Sequence, residues 1–395
     1  MEKLVVEVYN NIKKFGDTSK LSVIIINAPC MGFGDIVFGI KFATILRKWY
    51  KCNVKIITTQ KDNFILLGED PDNVYELTSK SENSQCRRLK NMNLEREVTA
   101  DIYFVAPLQQ DFEPDLNDVR MVFPNVNKLN TFFVSEYNDS LHKKIMFHTG
   151  IGGKRYGLLL TEPEINPPPL KIGNIPYCVI YVANSLDRVK SCVYKFITMV
   201  AKKYSGNDFQ IVLSSWILNF NMLPSICNIL RDYFGEAVLC YDGKCRKNVL
   251  GKRKNKVYIR LDVLPLPNNE MINLMSGSVR DILVTGDQSI TDVLSCCIDK
   301  NIFYQIAPWK KSFAKNLVKE LPNKWLSKKS ESCGGLKAIK YKSDYSKFRE
   351  RWNFSELARP MMDMIFSINT KTSSEAYNVA LVSRNVNSFK NKMEK

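Results

Sequence analysis

Apolar positions along this chain fall into short β-branched runs that alternate with longer stretches of helical spacing. The runs Ser22–Ala28, Val54–Thr59, Asp101–Ala106 and Thr131–Ser135 predict strands in the first part of the chain. In the second part, strands are predicted at Tyr177–Val182, Phe209–Leu213, Ala237–Cys240, Lys256–Leu261, Asp281–Val284 and Asn301–Gln305. Between these lie helical patterns at Ser191–Tyr204, Leu223–Phe234, Asn268–Met275 and Ile290–Cys297. Strands separated by helices of this length form βαβ units around a parallel sheet.

The alternation breaks at residues 163–176, PEINPPPLKIGNIP, where five prolines make a stiff hinge. The expected organisation is two Rossmann-like α/β domains, residues 1–165 and 172–340, facing each other across a cleft. An amphipathic helix over 344–368, within a segment 341–368, is expected to return to the first domain. Residues 369–395 read as a polar tail. The polar stretch 78–97 reads as a surface excursion and 244–256 as a loop between strands.

Composition narrows the classes. No apolar run reaches the ~18 residues that span a bilayer, and the N-terminus lacks a signal-peptide core, so a cytoplasmic protein is expected. Eleven cysteines fit neither a disulfide framework nor a zinc site, so reduced and mostly buried thiols are expected, with no metal. The net charge is +17, with lysine outnumbering arginine 41 to 16. Abundant lysine, asparagine and isoleucine would suit an A/T-rich microbe or a large DNA virus, which makes a solvated lysine coat the plain explanation. The runs 244–256 and 310–329 keep attraction to nucleic acid or anionic lipid open.

Two segments carry candidate chemistry. In the first, the strand Ser22–Ala28 leads through Gly32 and Gly34 into a helix that opens at Asp35. Such a turn delivers a carboxylate to the crevice of an open α/β sheet, although helix capping alone would also explain it. In the second, DILVTGDQSITDVLSCC over 281–297, a strand ends at Gly286 and Asp287 before a helix carrying Gln288, Ser289 and Thr291. The free N–H groups and hydroxyls there suit a diphosphate, with ordinary capping as the alternative. Arg188 and Lys190, on the loop after the strand at 177–182, could neutralise that diphosphate, and Glu270 could hold a sugar or ribose hydroxyl. In FHTGIGGKRYG, residues 147–157, His148 is a second candidate base, and Lys154 and Arg155 could meet an anionic acceptor. Each of these also reads as a structural or surface residue.

Taken together, Met31-Gly32-Phe33-Gly34-Asp35-Ile36-Val37, the Arg188/Lys190 loop and Val284–Leu294 resemble the GT-B class of glycosyltransferases. The pattern is closest to the heptosyltransferase-like members. The resemblance implies a metal-independent, inverting transfer from a nucleotide-sugar, with no other cofactor. Asp35 would be the general base and Gly34 would lie beside the acceptor. Arg188, Lys190, Glu270, Gly286, Asp287, Gln288, Ser289 and Thr291 would surround the donor. A glycan, a lipid-linked sugar or a protein would be the acceptor, with peripheral membrane contact through the basic surface. Gln288-Ser289 and Asp292 depart from the family pattern and leave a catalytically inactive scaffold open. A nucleotide-sugar epimerase would share the architecture, and a basic nucleic-acid-binding protein is the reading drawn from charge.

Overall fold

The computed structural model describes residues 17–29, 33–79, 89, 92–94, 97–108, 114–162, 172–183, 189–297, 300–320, 334–336 and 349–370. The first lobe contains β1 (Ser22–Asn27), α1 (Gly34–Tyr50), β2 (Asn53–Thr58), α2 (Lys61–Leu66), β3 (Val74–Ser79), β4 (Met92–Leu94), β5 (Ile102–Leu108), α3 (Leu116–Arg120) and β6 (Thr131–Ser135). Its sheet has the order β4-β3-β2-β1-β5-β6, parallel except for the β3–β4 pair. β1 and β5 are almost wholly buried, which explains their unbroken apolar runs.

The second lobe opens with β7 (Tyr177–Tyr181), α4 (Val189–Tyr204), β8 (Phe209–Leu213), α5 (Leu223–Arg231), β9 (Glu236–Tyr241) and β10 (Lys244–Val249). It continues with β11 (Lys256–Arg260), α6 (Asn268–Gly277), β12 (Asp281–Thr285), α7 (Asp287–Cys296), β13 (Asn301–Gln305), α8 (Lys311–Glu320) and β14 (Gly334–Leu336). The order β10-β9-β11-β8-β7-β12-β13-β14 is parallel inside and antiparallel at both edges. In each sheet the chain reverses its direction of growth beside a central strand: β1 lies between β2 and β5, and β7 between β8 and β12. Ligand crevices form at such switch points, beyond the carboxyl ends of the strands.

Two sheets of this kind make the chain an α/β protein of two Rossmann-like lobes. Their meeting is a packed seam. One hydrophobic cluster holds Val23, Ile25 and Phe42 of the first lobe together with Ile282, Val284, Ile290 and Val293 of the second. The expected proline hinge falls largely on 163–171, outside the described residues. Any closure about it would have to part this shared core.

Several sequence expectations need correction. β10 was expected to be loop; its side chains are all exposed, so it has no apolar face to signal a strand, and its register with β9 defines it. β3 and β4 were also missed, since β4 lies in the polar stretch 78–97. In place of one long helix, residues 349–352 are helical, Asn353 caps α9 (Phe354–Leu357) by accepting from Ser355 N, and α10 (Arg359–Thr370) follows. Pro360 explains the break, because proline suits only a first helical turn. This segment packs on the first lobe: Tyr50 stacks on Phe366 at 3.6 Å and its hydroxyl donates to Asp363 Oδ1 at 2.7 Å. Residues 344–348 and 371–395 lie outside the described residues.

The reduced-thiol expectation also fails in part. The tight turn at Asp242-Gly243, both at positive φ, places Cys240 opposite Cys245, and they form a disulfide with Cα atoms 4.2 Å apart. Cys192 is disulfide-bonded as well, whereas Cys52, Cys178, Cys227, Cys296 and Cys297 are free.

Candidate active site

Two helices bring the candidate residues to the seam. α1 leaves the end of β1 with Asp35 in its first turn and no side-chain cap. Asn27, the last residue of β1, is fully buried and donates from Nδ2 to the carbonyls of Asp35 (2.8 Å) and Ala106 (2.9 Å). One amide thus fixes the start of α1 against β5. Gly39 makes this possible, since a Cβ there would come within 2.8 Å of Asn27 Nδ2. Asp35 itself is half-exposed, and a Cβ on exposed Gly34 would meet nothing within 4 Å.

α7 leaves β12 through Gly286, at φ 78° and ψ 162°, where side-chain-bearing residues are strained. No side chain caps this helix, so the first-turn N–H groups of Asp287, Gln288 and Ser289 have no intrahelical partner. Space above Gly286 is open, and Ser289 is half-exposed. An uncapped helix start with its positive dipole end and a hydroxyl beside it suits an anion.

Buried ion pairs lock α7 against the first lobe. Lys41 of α1 donates to Asp292 Oδ1 at 2.5 Å, and Thr161 Oγ1 donates to the same atom at 2.9 Å. Lys41 and Asp292 side chains are only 8% and 3% exposed. Asp35 precedes Lys41 by about 9 Å of helix and Asp287 precedes Asp292 by about 7.5 Å. Both helix starts therefore sit within roughly two turns of one contact. The second pair is a triad. Lys310 bridges Asp287 Oδ2 (2.7 Å) to Glu136 of the first lobe. Burial, opposed by Lys310 and aided by Glu136, pushes the Asp287 carboxyl up to about 6. The two carboxylates outweigh burial at Lys310 and raise its ammonium.

These contacts revise several expected roles. Asp287 faces Lys310, and Gln288 is buried beside Tyr137, to which it hydrogen-bonds. Thr291 is fully buried and its hydroxyl donates to Asp287 O at 2.6 Å, so it has nothing left for a diphosphate. Arg155 donates to the carbonyls of Thr149 (3.1 Å) and Asp139 (2.5 Å), which staples its own loop. His148 Nε2 donates to His142 O at 3.1 Å, and burial holds its pKa below the usual value. Its Nδ1 is buried without a partner, so it is not aimed at solvent. Lys154 is exposed at a positive-φ turn. Lys190 lies in the first turn of α4 rather than on a loop, exposed, and Arg188 lies outside the described residues. Glu270 is half-exposed in the first turn of α6. Asp292, a departure in the sequence pattern, points away from the helix start and into the seam.

Sequence reasoning missed Asn27, Lys41, Glu136 and Lys310. Lys310 was counted in a basic surface run, yet it is 7% exposed. Its proline-tryptophan neighbours, Ala307-Pro308-Trp309, were the one available sign that it did not sit in an ordinary solvated stretch.

No family model matches this sequence, and no curated protein does. Among solved structures, an α-glucosyltransferase in complex with UDP and DNA aligns at TM-score 0.45 and 10% identity, covering 88% of this chain and 100% of that one. A family 9 glycosyl transferase of Veillonella parvula aligns at TM-score 0.39 and 10% identity, covering 73% and 81%. A heptosyltransferase of E. coli with ADP-2-deoxy-2-fluoro heptose aligns at TM-score 0.37 and 10% identity, covering 76% and 99%. At these scores the likenesses carry no argument of their own, and the assignment of chemistry rests on the two helix starts.

Proposed function

We propose that this chain transfers a sugar from a nucleotide-sugar to an acceptor hydroxyl, by direct displacement with inversion and without a bound metal. The observation that carries the reading is the pairing of a half-exposed carboxylate at the start of α1 with an uncapped start of α7 across the seam. In this scheme Asp35 takes the proton of the acceptor hydroxyl as that oxygen attacks the anomeric carbon. The bond from the anomeric carbon to the diphosphate breaks, and the nucleoside diphosphate departs with the electron pair. Its charge falls on the N–H groups of α7 and the hydroxyl of Ser289. Lys190 follows β7, the neighbour of β12, so it stands on the same sheet edge as a counter-charge. Glu270, on the helix after β11, shares that edge and can accept from a ribose or sugar hydroxyl. Positioning of donor and acceptor supplies much of the rate.

The test is a thermal-shift panel of nucleoside diphosphates and nucleotide-sugars, followed by product analysis on the hits. Ligand at ~100 times its dissociation constant adds about 2.7 kcal/mol of stability. A flat panel would leave a GT-B-like scaffold without a donor. A hit that yields only an epimerised donor would assign the site to sugar isomerisation.

A further inference from the structure

A strongly basic surface of the second lobe lies on the edge strand β10 and the loop after it. Lys244, Arg246, Lys247, Lys252, Arg253 and Lys254 are all exposed, and no acidic residue interrupts residues 244–254. None of the six takes part in an ion pair; the neighbouring Lys256 does, with Glu236. Lysines often blunt an exposed strand edge against unwanted pairing, but acidic residues serve that purpose equally. In a chain with 57 basic and 40 acidic residues, six cations without one acid exceed what edge protection requires.

We propose that this ridge is a docking surface for the phosphate backbone of a nucleic acid. Geometry favours that occupant. Six residues of β10 extend about 20 Å, and residues 252–254 add three cations where the chain turns around Gly235, so the ridge outruns a single phosphate or lipid headgroup. A membrane partner would need an apolar face to insert, and the exposed apolar residues here, Tyr241 and Val249, stand at opposite ends of the hairpin. Alternating side chains put Lys244 and Arg246 on one face of β10 and Lys247 on the other, so the cations flank an open edge from both sides. β9 is parallel to the central strands, so the turn at Asp242-Gly243 lies on the same sheet edge as the start of α7. Five strand spacings separate β10 from β12, about 24 Å. A duplex must therefore exceed about seven base pairs to touch the ridge and reach the switch point together. The surface does not depend on the sugar-transfer reading.

The experiment titrates a labelled 20-base-pair duplex against three proteins at several salt concentrations. These are the native chain, a variant with all six ridge cations changed to Gln, and a control with Lys128, Lys143, Lys144, Lys202, Lys315 and Lys319 changed to Gln. All six control lysines are exposed, so both variants lose equal charge. The ridge variant is expected to bind at least ~10-fold more weakly, with the slope of log K against log salt reduced by about 5. The control should keep most of its affinity. Equal losses in both variants would overturn the proposal in favour of diffuse attraction by net charge. So would a ridge variant that loses binding to phosphatidylserine vesicles while keeping the duplex. Matching thermal midpoints confirm that the substitutions leave the fold intact. A failed nucleotide-sugar panel would leave this result untouched.

Discussion

Gly34-Asp35 and Gly286-Asp287 both open a helix, but in different registers: Gly34 is the first residue of α1 behind Phe33, whereas Gly286 precedes α7 at positive φ. Each follows a central parallel strand, each opens a helix without a side-chain cap, and each puts an aspartate into the first turn. Their carboxylates nevertheless meet different surroundings. Asp35 is half-exposed, and the buried amide of Asn27 holds its peptide carbonyl. Asp287 is drawn inward by Lys310 and shares that ammonium with Glu136. Two aspartates at helix starts therefore end in different settings, and at Asp287 a cation from another element holds the carboxylate.

The largest effect expected from breaking this comparison comes at Asp35. Asp35→Asn should lower kcat/KM of sugar transfer by about 10²–10⁴-fold. A melting temperature close to native would show that the loss is one of chemistry and not of folding. Retained turnover would remove Asp35 from the mechanism.

Next in size is Lys310→Met, which leaves the largely shielded Glu136 and Asp287 without their cation. The expected loss is about 3–5 kcal/mol in urea unfolding. Adding Glu136→Gln and Asp287→Asn should recover most of it. If the single variant is as stable as the native chain, the triad does not hold the lobes.

The smallest effect is a pH dependence. Burial raises the Asp287 carboxyl to about 6 in the folded chain, above its usual value of 3.8. An acid raised on folding binds its proton more tightly in the native state, so stability falls as pH climbs from about 4 to 6. The contribution is on the order of 2–3 kcal/mol. Other groups titrate in this window, so the measurement is the difference between native protein and Asp287→Asn. The variant should lose that part of the slope, and two parallel curves would contradict the assignment.

How much of this was legible in the sequence follows from the range of each interaction. β1, β5, β7 and β12 are buried on both faces, so their apolar runs identify them from local pattern alone. The two helix starts were also visible, since glycine and aspartate act on their own backbone. The seam was not, because Lys310 and Glu136 are 174 residues apart and Lys41 and Asp292 are 251 apart. No local signal marks such partners. The same ignorance made Thr291 look like a ligand, when an i−4 carbonyl already occupies its hydroxyl. β10 escaped for a different reason: a strand exposed on both faces has no pattern to read.

Because one apolar cluster joins residues of both sheets, the halves are not independent building blocks. A fragment cut near the proline segment would present to water the faces that now meet, including Tyr137 on one side and Phe313 on the other. Either half made alone should aggregate or remain unfolded, and the intact chain should melt in a single calorimetric step.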